Sequence, residues 1–242
     1  MREPAPGQVE QNCSPGCRVY RMYTDTACCT PAKLRVLTQT LPVSFSEIMP
    51  SAKSPLTSVC EVTVSLLLSA APAVSPGRLR ELGVTCVMNA ASELPDTPLP
   101  DDREVAYFKV GVEDRPNADL LSHMDFVADM IEEVRSVGGK TLVHCVAGVS
   151  RSASLCLAYL MKHERMPLRK AFTHLRSRRP SIRPNTGFFT QLIEFERRLF
   201  GAATVSMVYN PAAGMLIPDV YEPEYQKMLW YQQHYSCSFG RH

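Results

Sequence analysis

The chain of 242 residues carries a formal net charge of +2, and its length suits one substantial core with flanking tails rather than two large domains. So small a charge excludes a general field that would name nucleic acid or an anionic membrane as partner, and any charge argument has to be local. The most apolar run, Val62 to Val74, is interrupted by Pro72 and falls short of the roughly 20 residues that span a bilayer, so no transmembrane segment is expected.

Met1 to Gln11 is polar and proline-bearing and lacks the apolar stretch of a secretory signal, which makes a cytoplasmic location the expectation. Nine cysteines, an odd number without an export signal, fit reduced thiols better than a disulfide framework. Cys13 with Cys17, and the pair Cys28 and Cys29, are the candidates for metal or lipid attachment. No matching histidine or second cysteine pair completes a zinc pattern, so neither metal nor cofactor is expected. Residues 1–56 show no sustained period of 3.6 or 2.0. They read as a flexible N-terminal extension with too little apolar surface to offset the entropy of ordering.

Order is expected from about residue 57. Val59, Val62 and Val64, followed by Leu66 to Leu68, read as one or two short strands. Ser75 and Pro76 open a short helical pattern through Leu79 and Leu82, which Gly83 ends. Val84 to Met88 and Val105 to Val110 are the next strands. Asp119 to Val137 carries a helical apolar stripe that Gly138 and Gly139 stop. Thr141 to His144 is a very short apolar strand, Ser152 to Met161 a helix, and further helices cover Leu168 to Arg178 and Thr186 to Phe200. From Gly201 the pattern becomes irregular, so residues 202–242 read as a C-terminal tail. Strands alternating with helices over residues 57–201 indicate an α/β domain with a mainly parallel central sheet flanked by helices.

Between the shortest strand and the helix after it lies His144-Cys-Val-Ala-Gly-Val-Ser-Arg151. Cys145 and Arg151 stand six apart with Gly148 between them, the spacing needed to wrap backbone around one phosphate. The amides of Val146, Ala147, Gly148, Val149 and Ser150, with the helix start, can form an anion site. That field also suits a thiolate, which makes Cys145 the candidate nucleophile. Arg151 offers a planar fork to two phosphate oxygens, a geometry lysine lacks. The Ser152 hydroxyl can donate to a departing thiolate when water hydrolyses a phosphocysteine, and His144 can orient the loop by hydrogen bonding. A lone buried cysteine or surface arginine says little, but this combination between strand and helix is specific.

The segment from His144 to Ala153, the following Leu157-Ala-Tyr-Leu-Met161, and Arg179-Pro-x-Ile-Arg-Pro-Asn-x-Gly-Phe188 resemble the atypical dual-specificity protein phosphatases. Within that family the similarity is to the subgroup containing dual specificity protein phosphatases 14, 18 and 21, over about residues 57 to 222, including the Val220-Tyr-Glu222 stretch of the C-terminal tail. The resemblance implies a cysteine-phosphatase fold, and a shallow pocket for phosphotyrosine and phosphoserine or phosphothreonine. It also implies a phosphocysteine intermediate and no metal. It places the general acid at Asp114 in Val110-Gly-Val-Glu-Asp-Arg-Pro116, to protonate the leaving oxygen. Glu113 beside it is the reserve candidate.

Asn185 matches a family residue that braces the phosphate loop, and it reads equally as the N-cap of the last helix. Phe189 stands where the family often has tryptophan. The run Arg176, Arg178, Arg179 and Arg183 reads as a solvated helix end. The leading expectation is an active phosphatase acting on phosphorylated proteins, with mitogen-activated protein kinases as candidate substrates. The alternatives are a phospho-binding pseudophosphatase, a class that usually lacks the cysteine, the arginine or the acid, and a phosphatase for lipid, RNA or sugar phosphate. Lipid-directed relatives tend to place lysines in the loop, whereas Val146, Ala147, Gly148 and Val149 are uncharged. Family analogy adds nucleus and mitochondrion to the cytoplasm as locations.

Overall fold

The computed structural model describes residues 8–12, 18–23 and 56–235. Its strands are β1 (Gln8–Asn12), β2 (Arg18–Tyr23), β3 (Val59–Glu61), β4 (Leu66–Ala70), β5 (Cys86–Asn89), β6 (Ala106–Gly111), β7 (Thr141–Cys145), β8 (Met207–Asn210) and β9 (Met215–Pro218). The α-helices are α1 (Pro76–Leu82), α2 (Leu121–Ser136), α3 (Arg151–Lys162), α4 (Leu168–Arg178), α5 (Thr186–Phe200) and α6 (Glu222–Tyr235).

The central sheet has the order β1-β2-β6-β5-β7-β4-β3. Strands β2, β6, β5, β7 and β4 are parallel, while β1 and β3 at the two edges run against their neighbours. Parallel strands covered on both faces need apolar residues almost continuously, and β4, β5 and β7 are buried along their whole length. Successive side chains alternate between faces. Leu66, Leu68, Cys86, Met88, Phe108, Val143 and Cys145 therefore join the core under α2, α3, α4 and α5, whereas Leu67, Val87, Tyr107 and Leu142 pack with Leu79 of α1. The mainly parallel α/β architecture expected from the sequence is what forms. Local chemistry sets the helix ends: the Ser75 hydroxyl accepts the Arg78 N–H at 3.3 Å, Pro76 takes the first helical position, and Gly83 at φ +69° closes α1.

Two segments depart from the sequence reading. Strands β1 and β2 lie inside the stretch read as a flexible extension, and β2 adds to β6 with Val19 opposite Tyr107 and Met22 opposite Val110. Edge pairing of this kind is satisfied by backbone hydrogen bonds, which leave little apolar pattern to read. Cys13, Cys17, Cys28 and Cys29 lie outside the described residues.

The reading of 202–242 as an irregular tail is corrected at its start. β8 and β9 form a hairpin whose turn is built by Asn210, its side-chain oxygen accepting the N–H groups of Ala212 and Ala213. A single 3₁₀ turn at Asp219–Tyr221 then leads into α6. Tyr221 is buried, its ring centroid 5.7 Å from Phe172 and 5.2 Å from Phe189, and its hydroxyl donates to the Pro184 carbonyl. Val205, Ile217 and Tyr221 belong to the main core, so the domain runs past residue 201. Anchors spaced this widely leave no periodicity in the sequence. Among the described residues, no helix is long and apolar enough to cross a membrane.

Candidate active site

β7 ends at Cys145 and α3 begins at Arg151, so five residues must turn from strand end to helix start. Gly148 makes the turn possible: its φ is +66°, and a Cβ there would lie 2.5 Å from the Ser69 carbonyl oxygen of β4. Four successive loop carbonyls point outward to protein donors. Val146 O accepts from the Ala71 N–H at 3.2 Å, Ala147 O from Arg179 Nη2 at 3.0 Å, Gly148 O from Arg179 Nε at 2.9 Å and Val149 O from the Arg183 N–H at 2.9 Å. In a planar trans peptide the N–H opposes the C=O. The N–H groups of Ala147, Gly148, Val149 and Ser150 therefore face the concave side of the loop, together with the N-terminus of α3, and make an anion cradle. Cys145 lies at its floor, 2 % exposed, its Sγ accepting the Ser152 hydroxyl at 3.1 Å.

Arg151 has a side chain only 3 % exposed. Its Nη1 and Nη2 each donate to the Glu93 carboxylate at 2.6 Å, and Nη1 also donates to the Val112 carbonyl at 3.0 Å. Burial opposes the charge on Arg151, but the hydrogen bonds and charge of Glu93 outweigh it and raise the arginine pKa. Those hydrogen bonds hold Glu93 below the ordinary carboxylate range. Of the five guanidinium N–H groups, this leaves the Nε–H and the second Nη2–H, side by side on one edge. Among the described residues, Nε has no hydrogen-bond partner. That edge is a fork for two oxygens of one oxyanion.

Asp114 arrives from the loop after β6, with Oδ2 3.7 Å from Arg151 Nε. Its Oδ1 accepts the Ser150 hydroxyl at 2.7 Å and Asn185 Nδ2 at 2.9 Å. The Asn185 N–H in turn donates to Ser150 Oγ at 3.1 Å, while Asn185 Oδ1 caps α5 by accepting the Phe188 N–H at 2.9 Å. The N-cap role read for Asn185 is thus seen in its contacts, whereas its side chain bonds Asp114 and only its backbone N–H reaches the phosphate loop, at Ser150. A Cβ on Gly187 would lie 1.8 Å from the Pro116 carbonyl oxygen, so glycine lets the Asp114 loop rest on the first turn of α5. Glu113 points elsewhere, paired with Arg115 at 3.1 Å in an exposed position.

His144 ties the cradle to the loop after β5. Its Nε2 lies 2.7 Å from Thr97 Oγ1, and its carbonyl accepts the Ala90 N–H at 2.8 Å. Burial pushes its pKa down to about 4, so the ring is neutral at ordinary pH and acts as a support.

Apart from the reserve candidate Glu113, the residues singled out from the sequence for this site therefore gather here: Cys145, Val146 to Ser150, Arg151, Ser152, Asp114, His144 and Asn185. Two more were missed. Glu93 stands 58 residues before its partner Arg151 and had no local signal. Arg179, read as part of a solvated helix end, is 3 % exposed and braces two loop carbonyls. Its signal was its place at the head of the Arg179-to-Phe188 segment. Arg176 and Arg183 pair with Glu224 of α6, so that part of the run is also structural.

Residues 66–198 match the family model described as dual specificity phosphatase, catalytic domain. Dual specificity protein phosphatase 14 from Bos taurus is 42 % identical over 193 residues, covering 79 % of this chain and 95 % of its own. Dual specificity protein phosphatase 18 from Homo sapiens is 48 % identical over 146 residues, covering 60 % and 75 % respectively. The crystal structure of a mouse putative dual specificity phosphatase complexed with zinc tungstate is similar at a TM-score of 0.57 and 34 % identity, covering 64 % of this chain and 95 % of that one.

Proposed function

Because the chain belongs to the dual specificity phosphatase family, we propose that it hydrolyses phosphotyrosine and phosphoserine or phosphothreonine in proteins through a phosphocysteine intermediate. The phosphoryl group sits in the cradle, its oxygens taken by the inward amides and by the free edge of Arg151. The Cys145 thiolate attacks phosphorus in line with the leaving oxygen. As the sulfur–phosphorus bond forms and the phosphorus–oxygen bond breaks, Asp114 gives its proton to the departing alkoxide or phenoxide. Water then attacks the phosphocysteine, losing a proton to Asp114. The Ser152 hydroxyl steadies the thiolate as it leaves, and inorganic phosphate is released. Phosphoryl transfer asks mainly for positioning and charge stabilisation, which is what these groups supply.

The observation that carries this reading is Arg151, buried and clamped on one side by Glu93, with Nε making no hydrogen bond among the described residues and the Asp114 carboxylate 3.7 Å from it. The crystal complex of the mouse relative with zinc tungstate, of which the tungstate is an oxyanion, supports it. The test is turnover of peptides carrying phosphotyrosine, phosphoserine or phosphothreonine, beside phosphoinositide and RNA 5′-phosphate. A doubly phosphorylated peptide from a mitogen-activated protein kinase, the candidate substrate class, belongs in the set. Turnover of the peptides is expected; activity confined to lipid or RNA, or none at all, would overturn the reading.

A further inference from the structure

We propose that the cavity between residues 71–74 and 94–98, floored by His144, is a subsite for one aromatic or branched aliphatic side chain next to the phosphorylated residue of the substrate. The proposal rests on the phosphatase reading and names what the same site recognises beyond phosphate. The cavity measures about 160 Å³ and is lined chiefly by Ala71, Val74, Leu94, Pro95 and Pro98.

Both walls are attached to the cradle. Ala71 donates its N–H to the Val146 carbonyl, and Glu93, the residue before Leu94, holds Arg151. The first wall follows β4 and the second follows β5, the strands on either side of β7. In open α/β sheets the crevice beyond the strand ends, where neighbouring connections diverge, is where ligands lie. The cavity occupies that crevice on the face of β7 opposite α3, since His144 and Cys145 alternate. A substrate whose phosphate enters the cradle carries its neighbouring residues past this mouth.

The chemistry of the cavity selects the occupant. Most of its polar groups are engaged: Thr97 Oγ1 with His144 Nε2 at 2.7 Å, and Asp96 with Lys109 Nζ at 3.5 Å, while His144 Nδ1 has no hydrogen-bond partner among the described residues. The ring of His144 is held neutral by burial, so the floor offers no charge. A charged side chain would lose hydration there without a partner, whereas an apolar one gains by leaving water. In size, an apolar cavity of about 150 Å³ holds a benzene-sized group, which matches one ring or one branched aliphatic side chain.

The test uses the full chain with an aryl phosphate and a phosphotyrosine peptide series, in which each neighbour of the phosphotyrosine is in turn Phe, Leu, Ala or Asp. At one neighbouring position kcat/KM is expected to fall about tenfold or more from Phe or Leu to Ala, since even one methylene in a hydrophobic pocket is worth about that. Asp should be poorer still. Val74→Phe, and Leu94→Phe from the opposite wall, fill the cavity and are expected to erase the preference while aryl phosphate turnover stays near that of the parent. Should a filled variant fail to fold, Val74→Ala widens the cavity and is expected to move the preference toward Trp. A parent that turns over aryl phosphate but shows no neighbour preference overturns the subsite alone, as does a preference that these variants leave unmoved. A parent without aryl phosphate turnover overturns the phosphatase reading and the subsite with it.

Discussion

Glu93 grips Arg151 end-on, with two hydrogen bonds of 2.6 Å between a carboxylate whose side chain is 51 % exposed and a guanidinium that is 3 % exposed. The exposed partner thus fixes the buried one. Glu93→Ala removes two hydrogen bonds to a charged group and leaves Arg151 free to rotate its fork away from the cradle. The expected result is a loss of kcat/KM of about 10- to 100-fold, with Glu93→Gln in between. Wild-type kinetics in Glu93→Ala would show that Arg151 is positioned without it.

Asp114 and Glu113 make opposite predictions. Asp114 is held at the cradle by Ser150 and Asn185, whereas Glu113 pairs with Arg115 in solvent. Asp114→Ala should therefore lose roughly 10²- to 10⁴-fold in kcat, within the range of general acid catalysis, and lose more with a poor leaving group than with an activated aryl one. Glu113→Ala should stay close to the parent. A pH–rate profile that survives Asp114→Ala but loses its acidic-group dependence in Glu113→Ala would move the role to Glu113.

His144 ties stability to pH. Its pKa is about 4 in the folded chain because burial disfavours the charged ring, against an ordinary 6.5. Between those values the unfolded chain binds a proton that the folded chain does not, so stability falls as pH falls from 6.5 toward 4, by roughly 3 kcal/mol in total. Urea unfolding across that window should show this slope, and His144→Gln should flatten it. Buried His123, also shifted down by desolvation, contributes with the same sign and leaves a residual slope. A variant whose slope equals the parent's would rule out His144 as a source.

The hairpin and α6 are held through Tyr221, packed on Phe172 and Phe189. Tyr221→Ala should cost about 3–5 kcal/mol, the usual loss for a large buried ring. Tyr221→Phe, which gives up the hydrogen bond to Pro184, should cost about 1 kcal/mol. Equal melting temperatures for Tyr221→Ala and the parent would return residues 202–242 to the status of a dispensable tail.

What the sequence made legible follows from distance along the chain. Cys145 to Ser152 is contiguous, its strand, turn and helix chemistry local, and the loop forms as its spacing requires. The helices with caps and stripes, such as Pro76–Leu82 and Thr186–Phe200, were equally readable. Glu93 and Arg179 were not, because what matters in each is a partner brought near only by the sheet: Arg151 for one, the Ala147 and Gly148 carbonyls for the other. A charged residue in a loop has no pattern that distinguishes solvent from a buried brace. Tyr221 has no period either, since it is one ring closing a gap between two helices; its signal was its place in the Val220-Tyr-Glu222 stretch that resembles the family subgroup.

The most direct measurement of the central claim is a rapid acid quench of turnover on a phosphotyrosine peptide, followed by mass analysis of the chain. A phosphoryl group on Cys145 is expected, accumulating further in Ser152→Ala, whose thiolate loses its hydrogen-bond donor. Cys145→Ser should neither trap the group nor turn over, because a serine hydroxyl is too poorly ionised to replace a thiolate. Steady turnover by Cys145→Ser, in a preparation free of other phosphatases, would contradict the account.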